Sequence, residues 1–186
     1  MKNQILDFQL EENKRRPLNP GVLTVTLIGI GAFIGATTNL INGNVSEEYF
    51  RRVMAWRFNE IWKAAVLQGI FEGLIFGLIL GIIFTAGFAI ITKLNADWRF
   101  ARRPLNKMIF VIYGCWIVGG MVAIILALAF PEELDRKVYL APKETMPRIR
   151  FYWVGGSIWG GIAGGIISVI YGLIMTNQEW EKAGST

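Results

Sequence analysis

The chain has 186 residues, of which 53% are hydrophobic and 18% charged, and its formal net charge is +5. So little charge excludes an ordinary soluble domain, in which about a quarter of the residues are charged. The chain has no histidine and a single cysteine, Cys115, which excludes His-ligated metal or haem sites, a histidine general base and an intramolecular disulfide. We therefore predict a protein that is not an enzyme, with no cofactor, no metal and no catalytic residue.

Four apolar runs are each long enough to cross a bilayer as a helix: residues 22–41, 64–92, 108–130 and 152–175. About 20 residues, at about 1.5 Å of rise each, cover the roughly 30 Å of hydrocarbon. Three of the runs contain no Asp, Glu, Lys or Arg, and the second contains only Glu72. The pattern predicts an all-α integral membrane protein with four transmembrane helices and the lipid bilayer as its main partner.

The segment before the first span, residues 1–20, is polar and lacks the short apolar core of a signal peptide. We expect it to be a cytoplasmic N-terminal segment that precedes an uncleaved membrane anchor. The basic residues of the chain lie here and in the segments between spans, where they set orientation and contact lipid headgroups. Nucleic acid is accordingly not predicted as a partner.

The connection between the first two spans is predicted to form an amphipathic helix over residues 46–63. Ser46 is a favourable N-cap, and two glutamates follow it in the first turn, where negative charge suits the helix dipole. Apolar residues then recur at helical spacing, and Trp56 and Trp62 are typical of the headgroup region. The helix is expected to lie at the membrane surface; binding a protein partner is the alternative.

The motif RRPLN occurs at residues 15–19 and again, 87 residues later, at 102–106, each time just before a predicted span. Small residues at four-residue spacing recur with the same offset: Gly69, Gly73, Gly77 and Gly81 correspond to Gly156, Gly160, Gly164 and Ser168. We therefore predict two tandem helical hairpins, residues 21–92 and 108–176. A basic loop, residues 93–107, joins them, and a tail, residues 177–186, follows.

These two ladders of small residues are predicted to be packing surfaces. Small side chains four residues apart let helix backbones approach closely, which is how helices associate where lipid removes the hydrophobic driving force. A pore lining or a cofactor cradle is the less favoured interpretation. Ladders on several helices suit a structural or accessory subunit of a membrane complex, or a homo-oligomeric scaffold whose outer grooves accept further helices.

Glu72 is the one chemical anomaly in the spans, and Gln68 lies four residues before it, on the same helical face and within hydrogen-bonding reach. An acid inside a span costs on the order of 3 kcal/mol, so an intramembrane proton or cation site is one hypothesis. The other is a structural glutamate, bonded to Gln68 or to polar residues at the end of the first span, Thr37, Thr38 and Asn39. The offset pairs Glu72 with Trp159, so only one half carries the acid, which favours the structural role.

Orientation follows from basic residues, which are almost evenly distributed between the two sides. The cluster Lys14, Arg15 and Arg16 immediately before the first span, together with the compact basic loop, favours cytoplasmic termini in a cell or inner membrane. Two functions therefore remain open. The first is a structural or accessory subunit or homo-oligomeric scaffold; the second is a small proton- or cation-coupled transporter or channel that uses Glu72.

Overall fold

The computed structural model describes residues 17–138 and 140–184, and within these ranges the chain is helical with no strand. Its helices are α1 Pro20–Val45, α2 Glu47–Val53, α3 Ile61–Thr92, α4 Trp98–Ala129, α5 Pro131–Lys137 and α6 Thr145–Gly184. The four long helices, α1, α3, α4 and α6, are long and apolar enough to cross a membrane. The predicted all-helical class with four candidate spans is confirmed, and it indicates an integral membrane protein.

The first helix begins where its sequence supplies a cap. The Asn19 side chain accepts a hydrogen bond of 2.8 Å from the backbone N–H of Gly21, and Pro20 occupies the first helical position, where its missing N–H has no consequence. The helix ends at Ser46, whose hydroxyl in turn accepts from the N–H of Tyr49 and starts α2. The predicted cap at Ser46 is therefore present.

The predicted amphipathic helix over residues 46–63 differs from the structure. Only Glu47–Val53 is helical, and α3 begins at Ile61, three residues before the predicted start of the second span. Ala55 interrupts the helix because its φ of 54° is left-handed. Phe50 of the short α2 is buried in a cluster with Ile61 and Val154, so burial against the bundle replaces a long surface helix.

The predicted basic loop at residues 93–107 is mostly helix. Helix α3 ends at Lys93 in the left-handed conformation, and the Asp97 side chain accepts from the N–H of Phe100 at 2.9 Å, which starts α4 at Trp98. The apolar run predicts only the hydrophobic part of α4, whereas the cap at Asp97 decides where the helix begins. Likewise α6 extends the predicted fourth span in both directions, and residues 177–184 of the predicted tail are helical.

The two RRPLN motifs differ in local structure. The second lies inside α4, where Pro104 is fully buried, so it is part of the helix that contains the predicted span 108–130. Of the first, residues 17–19 are non-helical and lead into α1, while Arg15 and Arg16 lie outside the described residues. The cap at Asp97 explains the difference, because it starts the helix before the second motif is reached.

The long helices pack as two pairs, α1 with α3 and α4 with α6, and the pairs meet mainly through α3 and α6. At the end of the bundle remote from α2, this contact buries an apolar cluster that includes Leu23, Phe84, Phe88, Leu105 and Met108. A central cavity adjoins this cluster and extends toward the end of the bundle that carries α2.

Candidate functional site

The cavity at the centre of the bundle has a volume of about 270 Å³, and all four long helices line it. On α4 the lining runs from Leu105 to Trp116, a helical rise of about 16 Å. Among the described residues that line it, Glu72 is the one acidic or basic residue. The cavity is therefore elongated along the helices, largely apolar, and provided with one acid.

The structure brings Gln68 and Glu72 together. The Gln68 Nε2 donates a hydrogen bond of 2.6 Å to the Glu72 Oε1, and the Glu72 side chain is exposed on the cavity wall. Burial raises the pKa of the Tyr49 phenol in α2, and the negative charge of Glu72 raises it further. On α3 the lining runs from Gly69 to Gly81, so Glu72 lies in the part of the cavity that is nearer to the start of that helix.

Two buried side chains in the cavity wall have an unused hydrogen-bond donor. The Asn42 Oδ1 accepts from the Ser157 hydroxyl at 3.1 Å, but the Asn42 Nδ2 has no partner among the described residues. The Trp116 Nε1 also lacks one there, although Trp116 is only 7% exposed. An unsatisfied buried donor costs about 1–3 kcal/mol. Neither donor atom has accessible surface, so an acceptor on a ligand would reach either one only after the side chain turned toward the cavity.

The sequence prediction did not include Asn42 or Trp116. The position of these two residues in the sequence is the signal that could have identified them. Asn42 is an amide within α1, and Trp116 lies in the middle of an apolar run, whereas membrane tryptophans are usually found near the interface. A tryptophan N–H at that depth requires a protein or ligand partner.

The polar groups lie toward one end of the cavity. The helix register shows this, because Gly43, next to Asn42, packs against Trp62 near the start of α3, whereas Leu27 packs against Gly81, farther along α3. The lining at the end remote from α2 is apolar and consists of Leu27, Leu80, Leu105, Met108 and Val169, with the hydroxyl of Ser168 bonded to the Gly165 carbonyl. The cavity is thus amphipathic along its length.

The threonines considered as partners of Glu72 have other partners. The Thr38 hydroxyl donates to the Ile34 carbonyl at 2.8 Å. The hydroxyls of Thr37 and Tyr113 are 2.6 Å apart and connect α1 with α4. Thr38 and Asn39 do line the cavity that contains Glu72.

The glycine ladder of α3 lies against α1. A Cβ added at Gly69 would lie 2.7 Å from the carbonyl carbon of Gly35, and one at Gly73 would lie 2.7 Å from that of Gly31. Backbone occupies the space that a side chain would need at both positions. Gly77 and Gly81 continue the contact at longer distances, since a Cβ there would lie 2.9 Å from the Ile28 Cα and 3.1 Å from the Leu27 Cβ.

The corresponding ladder of α6 lies against α4. A Cβ at Gly156 would lie 3.2 Å from the Gly119 carbonyl carbon, one at Gly160 would lie 3.0 Å from the Gly119 Cα, and one at Gly164 would lie 2.7 Å from the Cys115 Cβ. Ser168, the fourth member, is buried, but its hydroxyl bonds within its own helix.

Helix α6 also carries a second row of glycines, one position after two members of its ladder. Gly160 and Gly164 face α4, whereas Gly161 and Gly165 line the cavity, and a Cβ at Gly165 would lie 2.9 Å from Leu80 of α3. Adjacent glycines thus give α6 two small faces, toward α4 and toward the cavity. The doubled glycines were visible in the sequence, but the prediction used only one row.

Comparison of the chain with protein-family models, with curated proteins and with solved structures finds no match. The function is therefore inferred from the cavity and from the residues that line it.

Proposed function

We propose that the protein is a small membrane transporter that uses Glu72 as a proton or cation site in the central cavity. The observation that carries this proposal is the position of Glu72, the one acidic or basic residue in the described lining, on the wall of a cavity lined by all four long helices. An acid inside a span is costly, and one that serves a transport path faces the bundle interior or a polar cavity.

The surroundings of Glu72 suit reversible binding. The low effective dielectric constant around a bundle interior strengthens the attraction between a carboxylate and a cation relative to water. Gln68 donates to one carboxylate oxygen and so orients the group, while the exposed side chain remains accessible from the cavity. A buried ion pair would hold the carboxylate permanently, and the structure records no salt bridge for Glu72 among the described residues.

A structural or accessory role, including homo-oligomer formation, is the second candidate. The ladder glycines contact their partner helices within each pair and so are not free to receive another helix. Gly29 on α1 and Gly114 on α4 are different, because a Cβ at either position would meet nothing within 4 Å. These two outward glycines are the observation that supports docking of a further helix.

We also propose that the two helix pairs are tandem hairpins, derived from residues 21–92 and 108–176, with packing through their glycine ladders. Contacts support an offset of 87 between α3 and α6, since Gly69 and Gly156 occupy the same place in their pairs. Their partners Gly35 and Gly119 are 84 residues apart, as are Gly31 and Cys115. The offset between α1 and α4 is therefore 84 residues, three fewer than the offset of 87 between α3 and α6.

The membrane placement of the remaining segments belongs to the same proposal. We place α2 in the headgroup region, where exposed ion pairs link Arg51 to Glu47 and Arg52 to Glu48. Both termini are placed in the cytoplasm, on the side of the α3–α4 turn, where basic residues cluster at the start of α4.

The transport proposal is tested by proton flux in liposomes. The purified protein is reconstituted with an internal pH dye, and a potassium gradient with valinomycin drives proton entry. Glu72→Gln is expected to reduce the protein-dependent flux at least about tenfold, since it removes a charge-assisted interaction. Glu133→Gln, which alters an exposed acid of α5, is the matched control and should leave the flux unchanged.

Circular dichroism and size-exclusion profiles identical to wild type are required of Glu72→Gln, so that lost flux is not lost folding. Equal flux in wild type and in a folded Glu72→Gln variant would refute the role of Glu72. Wild-type flux no greater than that of empty liposomes would refute proton transport.

A further inference from the structure

We infer that the central cavity binds a single-chain amphiphile whose head joins a cation to a hydrogen-bond acceptor. The inference rests on the proposed function and deepens it by naming the class of ligand. The head would lie between Glu72, Asn42 and Trp116, and the tail would extend between the four helices toward Met108.

The head is specified by one acid on the cavity wall and by two donors that the protein leaves without a partner. Glu72 supplies a negative charge on the wall. The Asn42 Nδ2 and the Trp116 Nε1 are donors without a partner in the described structure, and both side chains are more than nine-tenths buried. A carboxylate attracts a cation, and two donors require an acceptor. An ammonium group next to a phosphoryl or carbonyl oxygen satisfies all three.

Trp116 adds a second reason for a cation. Its ring lines the cavity, and the face of an indole attracts a positive charge within about 6 Å. The indole can therefore serve the cation through its face and the acceptor through its N–H, depending on which part of the head lies over it. Neither interaction is available to a wholly apolar ligand.

The tail is specified by the rest of the cavity. Between Trp116 and Leu105 the cavity extends for about 16 Å along α4, and its lining becomes apolar toward Leu105. Each methylene buried there contributes about 0.8 kcal/mol, so a chain fits this end better than water does.

The amphiphile is tested with four probes of matched composition. The protein is purified in dodecyl maltoside, and the number of bound probe molecules is measured by native mass spectrometry as the probe concentration rises. Dodecylphosphocholine supplies cation, acceptor and tail; dodecyltrimethylammonium lacks the acceptor; dodecyl sulfate lacks the cation; phosphocholine lacks the tail. We expect one saturable site for dodecylphosphocholine, weaker binding of dodecyltrimethylammonium, and no saturable binding of the other two.

Two independent variants locate the site. Trp116→Phe keeps an aromatic ring but removes the N–H, and it should weaken dodecylphosphocholine binding about fivefold to tenfold. Glu72→Gln should weaken it about tenfold to a hundredfold, because it removes a charged partner. Trp159→Phe is the control for the first variant, since Trp159 is 72% exposed and lies outside the lining, and it should bind as wild type does.

Each outcome of these binding measurements supports or overturns the assignment of the head, the tail or the site. Equal binding of dodecyl sulfate and dodecylphosphocholine would overturn the assignment of the head, and saturable binding of phosphocholine would overturn that of the tail. Dodecylphosphocholine binding that is unchanged in both folded variants would overturn the site. Loss of proton flux in Glu72→Gln without any saturable amphiphile site would leave the transport proposal standing and reject this inference; the reverse result would reject transport alone.

Discussion

The two helix pairs pack alike but do not contribute alike to the cavity. In both pairs a glycine of the second helix meets a glycine backbone of the first, Gly69 with Gly35 and Gly156 with Gly119. The whole ladder of α3 also lines the cavity, whereas Gly156, Gly160 and Gly164 of α6 are absent from the described lining. Similar packing within each pair therefore does not produce two similar sites.

The difference lies in which glycines of each second helix line the cavity. On α3 they are the four ladder glycines, and on α6 they are Gly161 and Gly165 of the adjacent row. The same difference extends to chemistry. Glu72 lies next to Gly73 of the α3 ladder and lines the cavity. Trp159, which the offset of 87 pairs with Glu72, is directed outward from α6 and is 72% exposed.

The largest expected effect tests whether the two ladders are equally intolerant of side chains. Gly69→Leu and Gly160→Leu should each destabilise the bundle by about 3 kcal/mol or more, the upper end for overpacking, because backbone atoms occupy the required space. Gly29→Leu and Gly114→Leu are the matched controls, since both positions are open. Denaturant unfolding followed by circular dichroism gives the free energies.

A large loss in Gly69→Leu with none in Gly160→Leu would show that only the first pair depends on close contact. Losses of similar size in the controls would show that the cost reflects leucine in these helices and not the pair contacts.

The next effect concerns the acid that only the first pair carries. Trp159→Glu creates the missing counterpart of Glu72 on a face that is exposed outside the cavity. Insertion of the span should become less favourable by about 2–3 kcal/mol, because a carboxylate directed toward lipid has no polar surroundings. The fraction of α6 inserted is measured with a glycosylation-site reporter, and Trp159→Gln is the uncharged control. Insertion of Trp159→Glu at the wild-type level would mean that this face also meets water or protein.

The smallest effect concerns the hydrogen bond between the pairs. Thr37→Val or Tyr113→Phe removes the 2.6 Å contact between α1 and α4 and should cost about 1 kcal/mol. The two changes together should cost little more than either alone, which a double-mutant cycle measures. Thr26→Val, which removes a hydroxyl bonded only within α1, should show no coupling to Tyr113→Phe. Additive losses for Thr37 and Tyr113 would exclude an energetic link through this bond.

Much of the site could be read from spacing. Gln68 and Glu72 are close because residues four apart share a helical face, and the four spans follow from apolar length. Helix ends were less predictable, because caps such as Asp97 decide them outside the hydrocarbon, where hydropathy has no information. Asn42 and Trp116 could not be assigned, since their unused donors appear only when neighbouring helices surround them.

By itself the amino-acid sequence determined the helical class, the number of candidate spans and the positions that carry no side chain. These properties are local: in lipid every backbone group must be satisfied within its own helix, and a small residue is small in any context. Only the tertiary structure decided which glycine row encloses the cavity and which polar groups reach it. That depends on how the two pairs pack against each other, which arises from contacts between residues far apart in the chain.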